Sequence, residues 1–229
     1  MTRLDDVLDD LAHAAQGKRR LPVLQPDDVV AVYALFHGQV DRGTARRAAL
    51  VTEGGHVVAC QPGCDACCHN TPAIHAGEAV TIARWLEQPA QAAARDAFLT
   101  RYPAWRAALG DLVDRWAHAA GTGDVATEVE LAAAAWHRTV PCAFLDGGRC
   151  SIYPVRPVVC RDHHALGTAA ACQPGAQEDL QRARFPPLVD YLDHIRPIVL
   201  AMHDALQPDT PGARPLCAAV HDQLAPDDA

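Results

Sequence analysis

The sequence has few aromatic side chains, little β-branched content and no long apolar run. Only 5% of its 229 residues are aromatic, whereas Ala and Leu are abundant. This composition disfavours a large sheet and favours helices. No stretch approaches the roughly 20 apolar residues that cross a bilayer, so we expect no membrane contact. The formal net charge of −8 also makes general nucleic-acid binding unfavourable.

The sequence also lacks the motifs of several enzyme classes. It contains no Ser-His-Asp order, no phosphate-binding glycine loop and no HExxH element. Hydrolase and nucleotide-binding functions therefore have no support, and whether the protein is an enzyme stays open. The acidic, amphipathic start lacks the apolar centre of a signal peptide, so we expect a cytoplasmic protein.

Cysteine, by contrast, is concentrated in two segments. The first set is Cys60, Cys64, Cys67 and Cys68, and the second set is Cys142, Cys150, Cys160 and Cys172. Thiolates are soft and strong metal ligands, and short Cys-to-Cys loops place several sulfurs in one small volume. In a reducing compartment such clusters more often bind metal than form disulfides. We therefore predict that these eight residues are metal ligands, with a disulfide scaffold as the alternative.

The adjacent pair Cys67-Cys68 restricts how the ligands are shared. Neighbouring side chains point in different directions, so the two sulfurs should not ligate one ion together. A vicinal disulfide would strain the backbone. One thiol would then serve the centre begun by Cys60 and Cys64, and the other a second centre or its surroundings. Eight thiolates suffice for two metal centres, although a single centre that uses only some of them is the alternative.

Apolar residues at helical spacing precede, separate and follow the two sets. We predict N-terminal helices over 1–55 that pack on the core, a metal-binding domain with scaffold helices over 56–206, and a C-terminal tail over 207–229. The tail should be poorly ordered apart from a short turn at Cys217, which lies outside both sets.

Three details of the helices are predicted from the same spacing. A helix before the second set should bury a stripe of apolar side chains. Pro103 should interrupt an earlier helix. A basic group near the end of the second helix should form a solvated helix end, where positive charge complements the dipole. The stripe consists of Val125, Val129, Ala132, Ala133 and Trp136, and the basic group of Arg42, Arg46 and Arg47.

The second set lies in a segment rich in turn residues. Asp146-Gly-Gly148 predicts a small hairpin, with Cys142 and Cys150 at comparable heights on its two arms. A further break is expected at Pro174-Gly175. The predicted fold is therefore mainly α, with helices framing an irregular cysteine-rich region that carries one small β-hairpin.

These motifs together resemble the YkgJ-type cysteine-cluster family over roughly residues 56–175. The resemblance rests on Cys60-x3-Cys64-x2-Cys67-Cys68, Cys142-Ala-Phe-Leu145, Cys150-x-Ile152-Tyr153, Arg156-Pro157, Cys160-Arg161, the helix that begins near Glu78-Ala79, and Cys172. Asp65 stands where the family usually has glycine. The resemblance implies a zinc- or iron-chelating domain, with iron–sulfur clusters in some relatives, and leaves the activity open.

Four thiolates can hold either an iron–sulfur cluster or a zinc ion. We favour an iron–sulfur cluster, of the 4Fe–4S type, with zinc as the alternative. Either centre is negatively charged, so nearby cations should tune it. Arg149, Arg156 and Arg161 are the candidates for this contact with the cofactor, although Arg156 and Arg161 could instead pair with carboxylates such as Asp162.

Three histidines adjoin the cysteines. His69 follows Cys68, and His163 and His164 lie shortly after Cys160. Each could add an imidazole ligand or an acid–base group, although a loop histidine is more often structural.

Three functions follow from this chemistry. The favoured one is an iron–sulfur protein with a redox, sensing or unassigned catalytic role and an unidentified redox or protein partner. A structural zinc protein or interaction module is the first alternative. The second is a radical S-adenosylmethionine-type enzyme, suggested by Cys60-x3-Cys64-x2-Cys67. Helical patterns after the motif, and Ala66 in the place of a common aromatic, disfavour that enzyme.

Overall fold

A computed structural model of the protein describes residues 3–60, 63–172, 182–183, 185–209 and 212–224. The α-helices in these ranges are α1 (Arg3–Ala15), α2 (Pro26–Glu53), α3 (Ala76–Leu86), α4 (Ala92–Leu109), α5 (Leu112–Thr122), α6 (Val125–His137), α7 (Val158–Asp162), α8 (Pro186–Leu206) and α9 (Leu216–Leu224). The strands are β1 (Ala73–Ile74), β2 (Leu145–Asp146), β3 (Arg149–Cys150) and β4 (Arg214–Pro215). The prediction of a mainly helical fold with a small hairpin is confirmed.

The long helix α2 begins and ends where local chemistry dictates. Pro26 occupies its first turn, and the Asp28 carboxylate accepts the backbone N–H of Gln25 at 3.1 Å, which caps the start. At its other end Gly54 donates to Leu50 O, and Gly55 has a φ of +78° that turns the chain towards the first cysteines. None of the helices in the described ranges has the length and apolar character that would cross a membrane.

Two hydrophobic cores share α3, which is buried along nearly its whole length. The main core packs α3 against α4, α5, α6 and α9, together with the segment around Phe144 and Ile152. The second core joins α1, α2 and α8, with Val80 of α3 completing it. The cysteine segments therefore lie beside a helix that is fixed on both of its sides.

The chain after residue 207 is more ordered than predicted. β4 pairs antiparallel with β1, with Ala73 opposite Pro215, and α9 follows with five buried residues. The expected turn at Cys217 is therefore a helix that belongs to the main core. The break predicted at Pro174-Gly175 lies outside the described residues.

One helix prediction is wrong, and another holds only in part. Pro103 lies inside α4, which continues to Leu109. In α6 the predicted stripe is buried only in part: Val125 and Val129 are 67% and 64% exposed, Ala132 packs against the main core, and the fully buried residues are Leu131 and Ala135. An alanine-rich helix has little contrast between its faces, so the packing of α6 against α5 decides which face is buried.

Candidate metal centre

The two cysteine segments meet through short backbone pairing. Ala59 donates its N–H to Ala165 O at 2.9 Å, and Gly167 donates to Val57 O at 2.9 Å, so the chain before Cys60 runs antiparallel to the chain after Cys160. A second junction joins Cys142 N–H to Cys68 O at 2.7 Å. Residues far apart in the sequence are thus fixed next to each other at two points.

Cys60 is held by the backbone of the residues that follow Cys160. Its thiol donates to His163 O at 3.3 Å, and Ala165 donates its N–H to the Cys60 sulfur at 3.3 Å. Burial raises the pKa of Cys60, and the thiolates of Cys67 and Cys64 raise it further. Cys60 therefore shares its surroundings with the two cysteines that follow it.

Cys172 lies in the same small buried cluster against which Cys60 packs. It ends a 3₁₀ helix (Ala169–Cys172) and is buried against Ala66 and Ala165. Burial raises its pKa first, and then the thiolates of Cys60, Cys67 and Cys64 do so. We call Cys60, Cys64, Cys67 and Cys172 the first group. Cys64 is its exposed member.

The adjacent pair occupies a 3₁₀ helix (Ala66–His69), where Cys68 donates its N–H to Asp65 O at 2.8 Å. The expectation that these two sulfurs do not ligate one ion together stays a prediction. A hydrogen bond between the two neighbouring thiols is the largest influence on the pKa of each. This bond lowers the pKa of Cys67 to about 7, with further lowering by the backbone N–H and Arg156. The same bond raises the pKa of Cys68, followed by burial and by the neighbouring thiolates.

Cys68 and three cysteines of the second set are linked by their influence on one another's pKa, as Cys142 and Cys150 raise the pKa of Cys68. The pKa of Cys150 is raised to about 11, first by burial and then by Cys142. The pKa of Cys160 is raised by burial and then by Cys142, Cys67 and Cys150. We call Cys68, Cys142, Cys150 and Cys160 the second group. Cys67 influences members of both groups and lies at the junction between them.

The hairpin places Cys150 differently from the prediction. Leu145 pairs with Cys150, so Cys142 lies three residues before the first arm rather than opposite Cys150. Gly147 and Gly148 have φ values of +53° and +75°, as a tight two-residue turn requires. The sulfur of Cys142 contacts that of Cys217 on α9 at 3.6 Å, so a cysteine outside both sets in the sequence lies beside the second set in the fold.

The three predicted arginines have different surroundings. Arg161 is 3% exposed and donates to both carboxylate oxygens of Asp41, at 2.6 and 2.8 Å, so its charge is paired with α2. Arg156 stacks on the Tyr153 ring at 3.7 Å, and its positive charge contributes to lowering the pKa of Cys67. Arg149 is exposed on β3. A direct contact of these arginines with a cofactor stays a prediction.

Arg47 is a structural residue of the site that the sequence analysis missed. It is 4% exposed and donates to Asp162 Oδ1 at 2.7 Å, Asp162 O at 2.7 Å and Ala183 O at 3.2 Å. Its assignment to a solvated helix end is therefore wrong. Its spacing could have revealed it, because Thr44 and Arg47 follow Val40 at the i+4 and i+7 positions of the buried stripe.

Glu78 was also missed as a support for Cys160. Its carboxylate is 7% exposed and accepts the Val158 N–H at 2.7 Å, which fixes the start of α7 two residues before Cys160. Burial raises the pKa of Glu78 to about 7, against hydrogen bonds from Val158 and His75 that lower it. A carboxylate from α3 thus caps a helix that has no cap of its own.

The donor chemistry of the site fits a zinc or iron centre. All nine cysteines are free thiols. Three buried imidazole nitrogens near the thiols have no hydrogen-bond partner and are therefore available as metal ligands. They are His69 Nδ1, His163 Nε2 and His164 Nδ1. Within the described ranges, no three His, Cys, Asp or Glu side chains are yet arranged to hold one ion. The thiols converge, but their sulfurs have to move closer together around a metal.

One comparison with known proteins gives a match. A family model described as "CxxCxxCC: Putative zinc- or iron-chelating domain" matches residues 59–182, which is more than half of the chain. No curated protein and no solved structure matches the chain. The matched region contains both groups of thiols and ends before α9.

Proposed function

The chain belongs to the CxxCxxCC family of zinc- or iron-chelating domains, and we propose that its first group holds an iron–sulfur cluster of the 4Fe–4S type. Cys60, Cys64, Cys67 and Cys172 supply the four thiolates that such a cluster needs. The second group would hold a second metal centre. A bound cluster would supply one-electron chemistry, which suits electron transfer or redox sensing in the cytoplasm, where thiols stay reduced.

The convergence of the first group carries this proposal. Three of its members come from one short segment, and Cys172 reaches them from more than a hundred residues away through the Ala66–Ala165 contact. The sulfur of Cys60 accepts the N–H of Ala165 at 3.3 Å. Hydrogen bonds of this kind to cluster sulfurs are among the contacts that set the reduction potential.

The surroundings also favour a cluster over a hydrated ion. Cys60 and Cys172 pack among alanines, and the buried donors without a hydrogen-bond partner near the thiols are imidazole nitrogens, so sulfur and imidazole dominate the donor set. Soft sulfur donors select iron–sulfur clusters or zinc over Mg²⁺ and Ca²⁺. Zinc alone in both groups, with a structural role, is the second candidate, since it takes the same four thiolates.

Metal and acid-labile sulfide analysis of protein purified without oxygen tests the proposal. We expect bound iron and sulfide, with a broad visible absorption that dithionite bleaches. Cys172→Ser should lower iron and sulfide together, because it removes one of the four thiolates from the first group. A colourless protein that contains stoichiometric zinc and no sulfide would overturn the cluster and leave the structural zinc role.

A further inference from the structure

The sulfur of Cys217 lies at a distance from the Cys142 sulfur that suits two ligands of one metal ion. The two sulfurs are 3.6 Å apart and hydrogen-bond each other as thiols. A tetrahedral zinc ion with Zn–S bonds of 2.3 Å places its sulfurs roughly 3.8 Å from each other. Cys217 is 2% exposed, so its sulfur is withdrawn from solvent and directed at the second group.

The backbone fixes this approach. Leu216 donates its N–H to Pro72 O at 2.8 Å, and β4 pairs with β1 immediately before α9. Pro72 follows the helix that carries Cys68, and Cys68 O accepts the N–H of Cys142 at 2.7 Å. Three main-chain contacts therefore fix the positions of Cys68, Cys142 and Cys217 relative to one another. These contacts do not depend on the contact between the Cys142 and Cys217 sulfurs.

We propose that the second group binds a single tetrahedral zinc-type ion with Cys142 and Cys217 as neighbouring ligands, so that α9 is part of the metal site. Two of Cys68, Cys150 and Cys160 would complete the four ligands; Cys68 adjoins Cys142 through a main-chain hydrogen bond, and Cys150 lies in the hairpin that follows Cys142. Cys217 lies beyond residue 182, so this ligand comes from outside the region that the family model matches. Metal binding displaces the thiol protons, and the remaining sulfurs close in on the ion.

The alternative is that Cys217 is only a small apolar residue of the main core, in which it is indeed buried. The two possibilities differ in what removal of the sulfur does. Replacement of a small core residue by alanine changes stability and leaves the metal unaffected. Loss of one of four ligands changes affinity and geometry at the metal even where the fold is retained.

The test uses the full chain with Zn²⁺, and Co²⁺ as a spectroscopic substitute. We expect Cys217→Ala to weaken zinc binding to the second group at least about 100-fold, since loss of an outer-sphere partner alone costs ~10–100-fold. The thiolate-to-cobalt absorption of that site should fall, and Cys142→Ala should give the same loss. Urea unfolding of the metal-free proteins would show whether Cys217→Ala retains the fold.

Two results would overturn the proposal. One is an unchanged zinc affinity and cobalt spectrum in Cys217→Ala, and the other is a Cys142–Cys217 disulfide in the purified zinc-loaded protein. The outcome is separate from that of the cluster, because iron and sulfide report on the first group. Loss of the cluster in Cys172→Ser with intact cobalt binding would show that the two sites are independent.

Discussion

The two groups of thiols are supported in different ways. The second group is attached to the main hydrophobic core through Phe144, which lies between Cys142 and Cys150. Its ring is fully buried and stacks on Phe98 with the ring centroids 4.1 Å apart. Cys142 and Cys150 themselves pack against this core. Apolar packing therefore sets where Cys142 and Cys150 lie.

The first group has a smaller apolar support and depends on charge. Its cluster consists of Ala66, Ala165 and Cys172, with only small residues packed around them. The segment that holds Cys60 is joined to α2 by Arg47, whose guanidinium bonds Asp162 and the Ala183 carbonyl. The buried guanidinium of Arg47 thus supports the segment that holds Cys60, whereas aromatic packing of Phe144 supports Cys142 and Cys150.

This difference indicates how each group responds to change. Apolar burial contributes in proportion to area and is insensitive to charge state. A buried ion pair contributes through geometry, and removal of one partner leaves polar groups without compensation. Cys142 and Cys150 should therefore be sensitive to side-chain volume, whereas the segment around Cys160 that also holds Cys60 should be sensitive to charge and pH.

The largest expected effect comes from Phe144→Ala. Removal of a buried phenylalanine costs about 3–5 kcal/mol of unfolding free energy, because lost transfer energy and a cavity add together. Urea unfolding measures this cost, and zinc affinity of the second group should fall with it. Phe144→Leu keeps most of the volume and should cost less than about 1.5 kcal/mol. A loss of iron and sulfide from the first group, with the second group unaffected, would break the comparison.

Arg47→Ala is the corresponding change for the first group, because it removes the buried cation that supports it. We expect a loss of about 3 kcal/mol, at the lower end for a broken buried pair, because Asp162 is 36% exposed and can be rehydrated. Iron and sulfide retention should fall more than zinc affinity does. Arg46→Ala is the matched control, since Arg46 and Glu53 form an exposed pair worth at most about 1 kcal/mol. Equal costs for the two variants would show that Arg47 does not support the site.

The sequence predicts some parts of this arrangement and not others. The start of α2 follows from Pro26 and Asp28, and the hairpin from its two glycines, because these signals act over a few neighbouring residues. The meeting of the first and second sets is implied only by their shared chemistry. Cys217 could not be assigned, since its place depends on the pairing of β4 with β1, which is a tertiary contact.

The division into groups shows a second limit. The sequence predicts that Cys67 and Cys68 serve different centres, but it does not indicate that Cys172 lies near Cys60, in the same small buried cluster. That proximity depends on the pairing of residues 57–59 with residues 165–167, which are too short to be recognised as strands. Short pairings of this kind bury little area and leave no periodic pattern in the sequence.

The smallest of the expected effects is a pH dependence of the free energy of unfolding, caused by His37 in α2. His37 is buried, and its Nε2 has no hydrogen-bond partner. Burial lowers its pKa to about 4, the charges of Arg161 and Arg156 lower it as well, and Asp41 opposes them. The unfolded chain takes up this proton below pH ~6.5, and the folded chain only below about pH 4. The stability linked to His37 is therefore complete above pH 6.5 and is lost as the pH falls towards 4.

Between pH 7 and pH 5 this linkage should cost about 2 kcal/mol, and His37→Gln should remove that cost. Urea unfolding of the two proteins at both pH values measures the difference. His75, with a pKa lowered to about 4 by burial and by His203, destabilises both proteins in the same range. Glu78 acts in the opposite sense, because its raised pKa makes its protonation favour the folded state. These shared contributions, and any loss of metal in acid, cancel when the two slopes are compared. Equal slopes would mean that His37 is hydrated or protonated in the folded protein.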